Sequence, residues 1–167
     1  YYNHRVQKFN SEGKYISQFG GHAELAHLEE KGEGAKANGK FWGPEGIAID
    51  SSGNLYVVDY YNHRVQKFNS KGEYLNQFGS KGYPAEGKGQ FAFPSDVAID
   101  SYDNVWVTDS DNNRIEAFSP EGGYLSQFST EEGIYSSFPE GIAIFQGNIW
   151  VVESDQSRVR EYSPEGK

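Results

Sequence analysis

The chain has 167 residues, a formal net charge of -9 and aromatic side chains at 16% of its positions. This length allows one domain, and many aromatics together with 20 glycines favour an all-β chain of short strands. The acidic balance argues against nucleic acid and anionic membranes as partners, because both attract basic surfaces. No cysteine is present, which excludes a disulfide framework and a thiol nucleophile.

The sequence opens at Tyr1, in the middle of a motif, and contains no methionine. We therefore expect a mature fragment or the ordered part of something longer. No apolar run approaches the ~20 residues of a membrane span, so no membrane association is expected. The compartment is left open, with an extracellular or cell-surface location preferred.

A unit of short strands recurs along the chain. Its first, partial copy is residues 1–20, which match residues 60–79 at 16 of 20 positions. Complete copies occupy 41–79 and 91–128, and 137–167 holds the first part of another. Each run of β-favouring residues ends at turn-forming Gly, Asn, Asp or Ser, which predicts antiparallel strands joined by turns. Counting two, four, four and three strands in these copies gives 13, which we name a to d within each unit.

In the first complete unit, strands a to d are expected at 46–50, 55–59, 64–68 and 73–78. Length varies mainly in the connection from strand d to the next strand a, at 20–40, 79–90 and 129–137. Strands such as IAID and LYVVD are apolar at successive positions, which is typical of sheets covered on both faces. Such sheets form the blades of a β-propeller or, alternatively, a linear stack. The four-stranded unit and its period favour a propeller, with residues 1–167 as one segment.

The repeated pattern F-x-x-P-x-G-I-A-I-D, G-N-L-Y-V-V-D and N-H-R-V-Q-K-F closely resembles the NHL repeat. In the first complete unit the resemblance is carried by Pro44, Gly46, Ile47, Ala48, Asp50, Gly53, Asn54, Tyr56, Val57, Asp59, Asn62, His63, Arg64, Gln66 and Phe68. It recurs from Pro94 to Phe118 and from Pro139 to Tyr162. WD40 and kelch repeats fit less well, because their Gly-His…Trp-Asp and Gly-Gly signatures are missing.

The resemblance implies a propeller that typically has six blades, whereas this sequence encodes about three and a quarter. Open ends would expose strand edges, which promote association. We therefore expect the remaining blades to come from other polypeptide. Two copies related by a two-fold axis would form a ring with one surplus c strand at each junction. The alternative is that the segment belongs to a longer single-chain propeller.

An acidic residue ends strand b and an arginine begins strand c in each of the last three copies. The pairs are Asp59 with Arg64, Asp109 with Arg114, and Glu153 with Arg158. The two members face each other across a hairpin, and the planar guanidinium matches a carboxylate. We interpret them as structural ion pairs within the blades.

The b–c turns and the variable d–a loops are predicted to lie at the same end of the sheets, which we call the loop face. Tyrosine, histidine, aspartate and amide side chains in these turns offer stacking area and hydrogen bonds to a partner. The predicted partner-binding residues are Tyr60, Tyr61, His63, Asp111, Asn112, Asp155 and Gln156. The alternative is that Tyr60 and Tyr61 pack between blades while the polar side chains bond within their turns.

Two patterns suggest metal sites but have better explanations. Asp109-x-Asp111-x-Asn113 resembles the start of a calcium loop, yet Arg114 stands where glycine is needed, so a blade turn is favoured. His22 and His27 are five residues apart, which is not the i, i+4 spacing of a helical zinc pair. Their segment is compatible with a short helix. No metal and no cofactor are expected.

The leading functional hypothesis is a non-enzymatic scaffold that binds a protein or a small polar ligand on the loop face. One alternative is a metal-dependent enzyme resembling the peptidyl-amidating lyases, which would require histidines on the inner strands; the a strands here have none. A further alternative is RNA binding, as in some NHL domains, which the excess of 24 acidic over 15 basic residues disfavours.

Overall fold

The computed structural model describes residues 3–21, 37–81 and 87–167, and the predicted short helix around His22 and His27 lies outside these ranges. No helix in the described ranges is long and apolar enough to cross a membrane. The strands are β1 (Arg5–Phe9), β2 (Tyr15–Gly20), β3 (Pro44–Ile49), β4 (Leu55–Asp59), β5 (Arg64–Phe68), β6 (Tyr74–Phe78), β7 (Ser80–Lys81), β8 (Gln90–Phe91), β9 (Pro94–Ile99), β10 (Val105–Asp109), β11 (Arg114–Phe118), β12 (Tyr124–Ser129), β13 (Pro139–Phe145), β14 (Asn148–Glu153) and β15 (Arg158–Tyr162).

These strands form antiparallel meanders that correspond to the predicted blades. The complete sheets are β3-β4-β5-β6 and β9-β10-β11-β12, which we call blades 2 and 3. The hairpin β1-β2 is the outer part of blade 1, and β13-β14-β15 is the inner part of blade 4. The 13 predicted strands are all present, and the two-residue strands β7 and β8 pair in parallel within a d–a connection.

The inner strand of blade 2 starts earlier than the sequence predicts. Strand β3 begins at Pro44 rather than Gly46, and its register with β4 is irregular between Pro44 and Ile47. Proline is tolerated there because the first residue of a strand at an irregularity need not donate to the ladder. The b and c strands, at 55–59 and 64–68, have the predicted bounds.

The blades are arranged radially around their first strands. Strand β9 contacts β3 on one side and β13 on the other, so the three a strands line the inner side of the assembly. The sheets are therefore successive blades of a partial β-propeller, and the hydrophobic core lies between them. One buried cluster joins Tyr56 and Val58 of blade 2 to Val97 and Val107 of blade 3.

A phenylalanine from each d strand packs against a glycine in the c–d turn of the next blade. A Cβ atom added to Gly122 would lie 2.8 Å from Cδ1 of Phe78, and one added to Gly166 would lie 2.5 Å from Cβ of Phe128. Both glycines also have positive φ angles, which favour glycine independently of the packing. The glycine-containing c–d turns are thus required for blade stacking as well as for chain reversal.

Candidate functional site

The acid–arginine pairs lie inside the blades at the loop face. In blade 2, Arg64 Nε lies 2.7 Å from Asp59 Oδ2, and both side chains are buried. The other carboxylate oxygen of Asp59 accepts a 2.7 Å hydrogen bond from the Trp42 backbone N–H. Burial raises the pKa of Asp59, and these donors oppose that shift by favouring the charged form. The pair therefore fixes the incoming d–a loop to the b–c hairpin.

Blades 3 and 4 repeat this arrangement. Arg114 Nε lies 2.8 Å from Asp109 Oδ2, and Arg158 Nε lies 2.7 Å from Glu153 Oε2. Glu153 also accepts a short hydrogen bond from the Tyr162 hydroxyl, which accounts for the longer acid at this position. All three acids are fully buried and occupied by their arginines, as structural ion pairs require.

Blade 3 contains a second buried acid where blade 2 has an amide. Gln66 Nε2 donates to Asp59 Oδ2 at 3.0 Å and to the Lys40 carbonyl at 2.7 Å. In blade 3 the corresponding residue is Glu116, whose Oε1 lies 2.6 Å from Arg114 Nη2. Burial, reinforced by the Asp109 carboxylate, raises the pKa of Glu116 to about 7, although Arg114 opposes the shift. Two acids thus share one arginine.

The Tyr-rich b–c turn of blade 2 forms an aromatic cluster on the loop face. The Tyr61 ring lies 5.2 Å from Trp42 and 4.8 Å from Tyr60, while Tyr60 lies 5.2 Å from Phe93 of blade 3. Trp42 and Tyr61 remain 37% and 38% exposed. We call Trp42, Tyr60, Tyr61 and Phe93 the aromatic rim. The aromatic rim packs between blades 2 and 3, which is the alternative that the sequence left open for Tyr60 and Tyr61. Trp42 and Tyr61 also face solvent.

The b–c turn does not require the exposed pair of the aromatic rim, although Tyr61 has a counterpart in Tyr2 of the first copy. The backbone N–H of Tyr61 donates to the Trp42 carbonyl at 3.1 Å, and in blade 3 the N–H of Asp111 donates to the Ala92 carbonyl at 3.2 Å. The same turn therefore forms with alanine and aspartate in place of tryptophan and tyrosine. Gly43, which has a positive φ, leaves space for the Tyr61 ring, because a Cβ there would lie 2.7 Å from it.

His63 is buried and connects two blades rather than facing a partner. It adopts the left-handed conformation that ends the turn, and its Nδ1 accepts a 3.1 Å hydrogen bond from the Phe93 backbone N–H. Asn113 does the same one blade later, where its Oδ1 accepts from the Phe138 N–H at 2.9 Å. We call this contact the blade latch. The motif histidine is thus replaceable by another acceptor.

The remaining predicted turn residues are divided between internal and exposed roles. Asn112 donates to Asp109 Oδ2 at 2.8 Å, and Gln156 donates to the Ser136 carbonyl at 2.7 Å, so both bond within the protein. Asp155 is exposed, whereas Asp111 is half-buried and its pKa is raised by desolvation. Of the residues predicted for binding, Tyr61 and Asp155 are therefore the ones most accessible to a partner at the loop face.

A cavity of about 440 Å³ opens next to the aromatic rim, where the three inner strands begin. We call it the central cavity, and its lining residues are Glu45, Gly46, Tyr60, Ser95, Asp96, Phe138 and Glu140. Asp96 connects the strands, since its Oδ2 accepts from the Ile142 N–H at 3.0 Å, and burial raises its pKa. Gly46 is required opposite it, because a Cβ there would lie 2.4 Å from Asp96 Oδ1.

Sequence reasoning does not identify Trp42 or the central cavity. The one signal in the sequence is Asp96, which stands where the other copies of the repeat have Gly46 and Gly141. Across residues 3–21, 37–81 and 87–167, no group of three or more His, Cys, Asp or Glu is placed to hold a metal ion. The expectation that no cofactor is used stays a prediction.

Comparison with known proteins agrees with this architecture. The family model described as the NHL repeat matches residues 41–68 and 91–118. Protein brain tumor of Drosophila melanogaster is 38% identical over 48 residues, which is 29% of this chain and 5% of that protein. The matched residues of blades 2 and 3 are therefore NHL repeats, as the sequence predicts.

Two solved structures show the same fold. Selenomethionine-substituted virginiamycin B lyase from Staphylococcus aureus has a TM-score of 0.67 at 16% identity, covering 99% of this chain and 47% of that one. A protein of unknown function from Bacteroides thetaiotaomicron has a TM-score of 0.70 at 18% identity, covering 97% and 42%. At these identities the likeness establishes only a β-propeller fold. The chain spans less than half the length of either structure.

Proposed function

We propose that this chain is a non-enzymatic binding scaffold whose loop face holds a polypeptide partner. The observation that carries the proposal is the exposed Trp42–Tyr61 pair beside the central cavity. Tryptophan and tyrosine are the side chains that most often anchor protein interfaces, because they bury a large area at low entropic cost.

The comparison of blades 2 and 3 supports a binding role for this pair. Blade 3 builds the same turn with Ala92 and Asp111, so the fold has no need of two large aromatic rings there. Aromatic side chains that remain partly exposed cost solubility without adding core. Tyr61 has a counterpart in Tyr2, whereas Trp42 is replaced by Ala92 and Ser137 in the later copies, so the exposed Trp42–Tyr61 pair is better explained by a partner than by packing.

The central cavity favours a partner with basic residues. Glu45, Asp96 and Glu140 line it together with the rings of Tyr60 and Phe138. A cationic side chain is attracted both by carboxylates and by the faces of aromatic rings. The overall net charge of -9 would also accelerate the approach of a basic segment.

No observation among the described residues favours the lyase alternative over this one. The described inner strands β3, β9 and β13 contain no histidine, and similarity to virginiamycin B lyase concerns the fold. The buried acids at 59, 109 and 153 are paired with arginine, so they are poorly suited to proton transfer.

The test uses three fluorescein-labelled peptides of equal length, one rich in lysine and arginine, one neutral and one rich in aspartate, titrated with the protein and followed by anisotropy. We expect the basic peptide to bind most tightly at low salt. The double variant Trp42→Ala/Tyr61→Asn, which imitates blade 3 without adding charge, should weaken this binding at least tenfold.

The control is Tyr102→Ala, which removes a ring that is 83% exposed on the opposite face, in an a–b turn. It should bind like the parent protein. Equal affinities for the three peptides, or unchanged binding by the double variant, would contradict the proposal.

A further inference from the structure

A cleft lies between blades 3 and 4 at the end of the sheets opposite to the loop face. It comprises about 680 Å³ and is formed by strands a and b of these blades, their a–b turns and the c–d turn of blade 4. We call it the turn-face cleft, and its lining includes Ile99, Asp100, Trp106, Ile144, Gly147 and Pro164.

Between blades 2 and 3, a lysine fills the equivalent space. Lys67 of strand c donates from Nζ to the Pro120 carbonyl, in the c–d turn of blade 3, at 3.0 Å. The same Nζ lies 3.7 Å from Asp50 Oδ2 and 4.9 Å from the centroid of the Tyr56 ring. A carboxylate, an aromatic face and a carbonyl oxygen thus hold an ammonium group there.

Each protein group that holds this ammonium has a counterpart in the turn-face cleft. The counterparts of Asp50, Tyr56 and Pro120 in the repeat are Asp100, Trp106 and Pro164, respectively. Ala117, however, stands at the position of Lys67, so blade 3 supplies no ammonium of its own. The cleft therefore combines the groups that receive a cation with a strand that cannot provide one.

Asp100 is a charged group with space for a cation beside it. Its carboxylate accepts a 3.0 Å hydrogen bond from Trp106 Nε1 and further bonds from two backbone N–H groups of its own turn. Burial raises the pKa of Asp100, but these bonds, that from Trp106 foremost, outweigh burial and hold the pKa below its ordinary value. Asp50 accepts the same turn bonds and still has Lys67 beside it, whereas Asp100 forms no ion pair with any residue in the described ranges.

A second replacement keeps the cleft open at the surface. Between blades 2 and 3, the Ser51 backbone N–H donates to Asp103 Oδ1 at 2.9 Å, which ties the two a–b turns together. The a–b turn of blade 4 is one residue shorter, and Gly147 takes the left-handed position of Asp103. Because glycine has no side chain to make this bridge, the turns of blades 3 and 4 are not joined in the same way.

We infer that the turn-face cleft binds an alkylammonium group, carried by a free amine or by a lysine side chain of another molecule. The ammonium is held by Asp100, the ring of Trp106 and the Pro164 carbonyl, as Lys67 is held by their counterparts. The alkyl chain lies along Ile99 and Ile144, which are half-buried in the cleft wall. This inference goes beyond the proposed function and does not depend on it, since the two sites lie on opposite faces.

The first test compares n-pentylamine, which is protonated at pH 7, with n-pentanol, which has the same chain length and no charge. Binding is followed by the indole N–H resonance of Trp106 in NMR spectra, because this group contacts Asp100 directly. We expect the amine to bind at least about tenfold more tightly than the alcohol, as a hydrogen bond between charged groups allows. Equal affinities for the two compounds would overturn the inference.

A third ligand, Nα-acetyl-lysine methylamide, distinguishes the two sources of the ammonium group. Affinity equal to or greater than that of n-pentylamine would assign the cleft to a lysine side chain. Weaker binding by the lysine derivative would assign it to a free amine. Failure of both amines to shift the Trp106 resonance would overturn the inference.

The second test exchanges the residues that distinguish the two spaces. Ala117→Lys imitates blade 2 and should abolish amine binding, because its own ammonium takes the same place. Lys67→Ala should have the opposite effect and create a second amine site beside Tyr56, so that two amines bind per chain. Amine binding by Ala117→Lys at the affinity of the parent protein would overturn the inference.

Two further variants keep the test decisive if Ala117→Lys does not fold. Asp100→Asn removes the charge and should weaken amine binding at least about tenfold, while binding of n-pentanol is unchanged. The loop-face variant Trp42→Ala/Tyr61→Asn is the control and should bind n-pentylamine like the parent protein. Unchanged amine affinity in Asp100→Asn would overturn the inference and leave the proposed function of the loop face untouched.

Discussion

At the residue scale, blades 2 and 3 differ in how completely their buried polar groups are hydrogen-bonded. Asp59 and Asp109 occupy equivalent buried positions, yet one has an amide neighbour, Gln66, and the other an acid, Glu116. An amide can donate to the neighbouring carboxylate, whereas an ionised acid cannot. Blade 3 therefore contains a residue that opposes folding whenever it is charged.

Glu116→Gln is expected to stabilise the protein, and more at pH 8 than at pH 5. The pKa of Glu116 in the folded state is about 7, above its ordinary value of 4.5, so the folded state binds the proton more tightly. This group's contribution to stability is thus greatest below about pH 4.5 and is lost as the pH rises through 7. We expect a gain of roughly 1–3 kcal/mol at pH 8 from urea unfolding.

The matched change, Gln66→Glu in blade 2, should destabilise the protein with the same pH dependence. A gain from Glu116→Gln that is equal at pH 5 and pH 8 would show that the acid is neutral or well solvated throughout this range.

At the scale of turns and strands, the blade latch and the phenylalanine–glycine contact hold neighbouring blades together. His63 Nδ1 accepts from Phe93 N–H, a role that Asn113 fills at the next junction. The latch needs one acceptor at this position, which the imidazole Nδ1 and the asparagine amide oxygen both supply.

His63→Asn should therefore retain the latch and leave the stability at pH 8 close to that of the parent, measured by thermal unfolding. Asparagine also tolerates the left-handed backbone of this turn. His63→Ala, in contrast, should cost about 1–3 kcal/mol at pH 8, because it leaves the Phe93 N–H without its acceptor. An alanine variant as stable as the parent would exclude the latch.

The phenylalanine–glycine contact can be isolated by comparing two glycines. Gly122 and Gly13 have similar positive φ angles, 86° and 77°, but only Gly122 lies against a phenylalanine from the neighbouring blade. Each change to alanine strains the backbone by about 1 kcal/mol. Gly122→Ala should cost at least about 1 kcal/mol more than Gly13→Ala in chemical denaturation, and equal costs would refute the packing role.

Much of the fold at this scale could be predicted from the sequence, because short β-favouring runs and turn residues are local signals. The b and c strands and the proximity of Asp59 to Arg64 follow from a hairpin of known register. The central cavity could not be derived in this way. Glu45, Asp96 and Glu140 meet because three blades turn around one axis, and no local pattern encodes that approach. Trp42 lies in a connection whose path the repeat does not specify.

At the scale of the whole molecule, the repeat separates scaffold from function. A residue that recurs in every blade, such as the arginine at 64, 114 and 158, belongs to the scaffold. A residue that appears in one blade and remains exposed is available for binding. Trp42, which is replaced by Ala92 and Ser137 in the later copies, satisfies this condition on the loop face, and Tyr61 is exposed beside it.

The most direct test is the stability of Trp42→Ala/Tyr61→Asn measured alongside its peptide binding. We predict that the free energy of unfolding falls by about 1 kcal/mol or less, as for surface substitutions, while binding of the basic peptide is lost. The reference is Phe91→Ala, which removes a fully buried ring and should cost about 3–5 kcal/mol. If the double variant lost as much unfolding free energy as Phe91→Ala while its folded fraction still bound the basic peptide, the aromatic pair would belong to the core. That result would contradict its role in recognition.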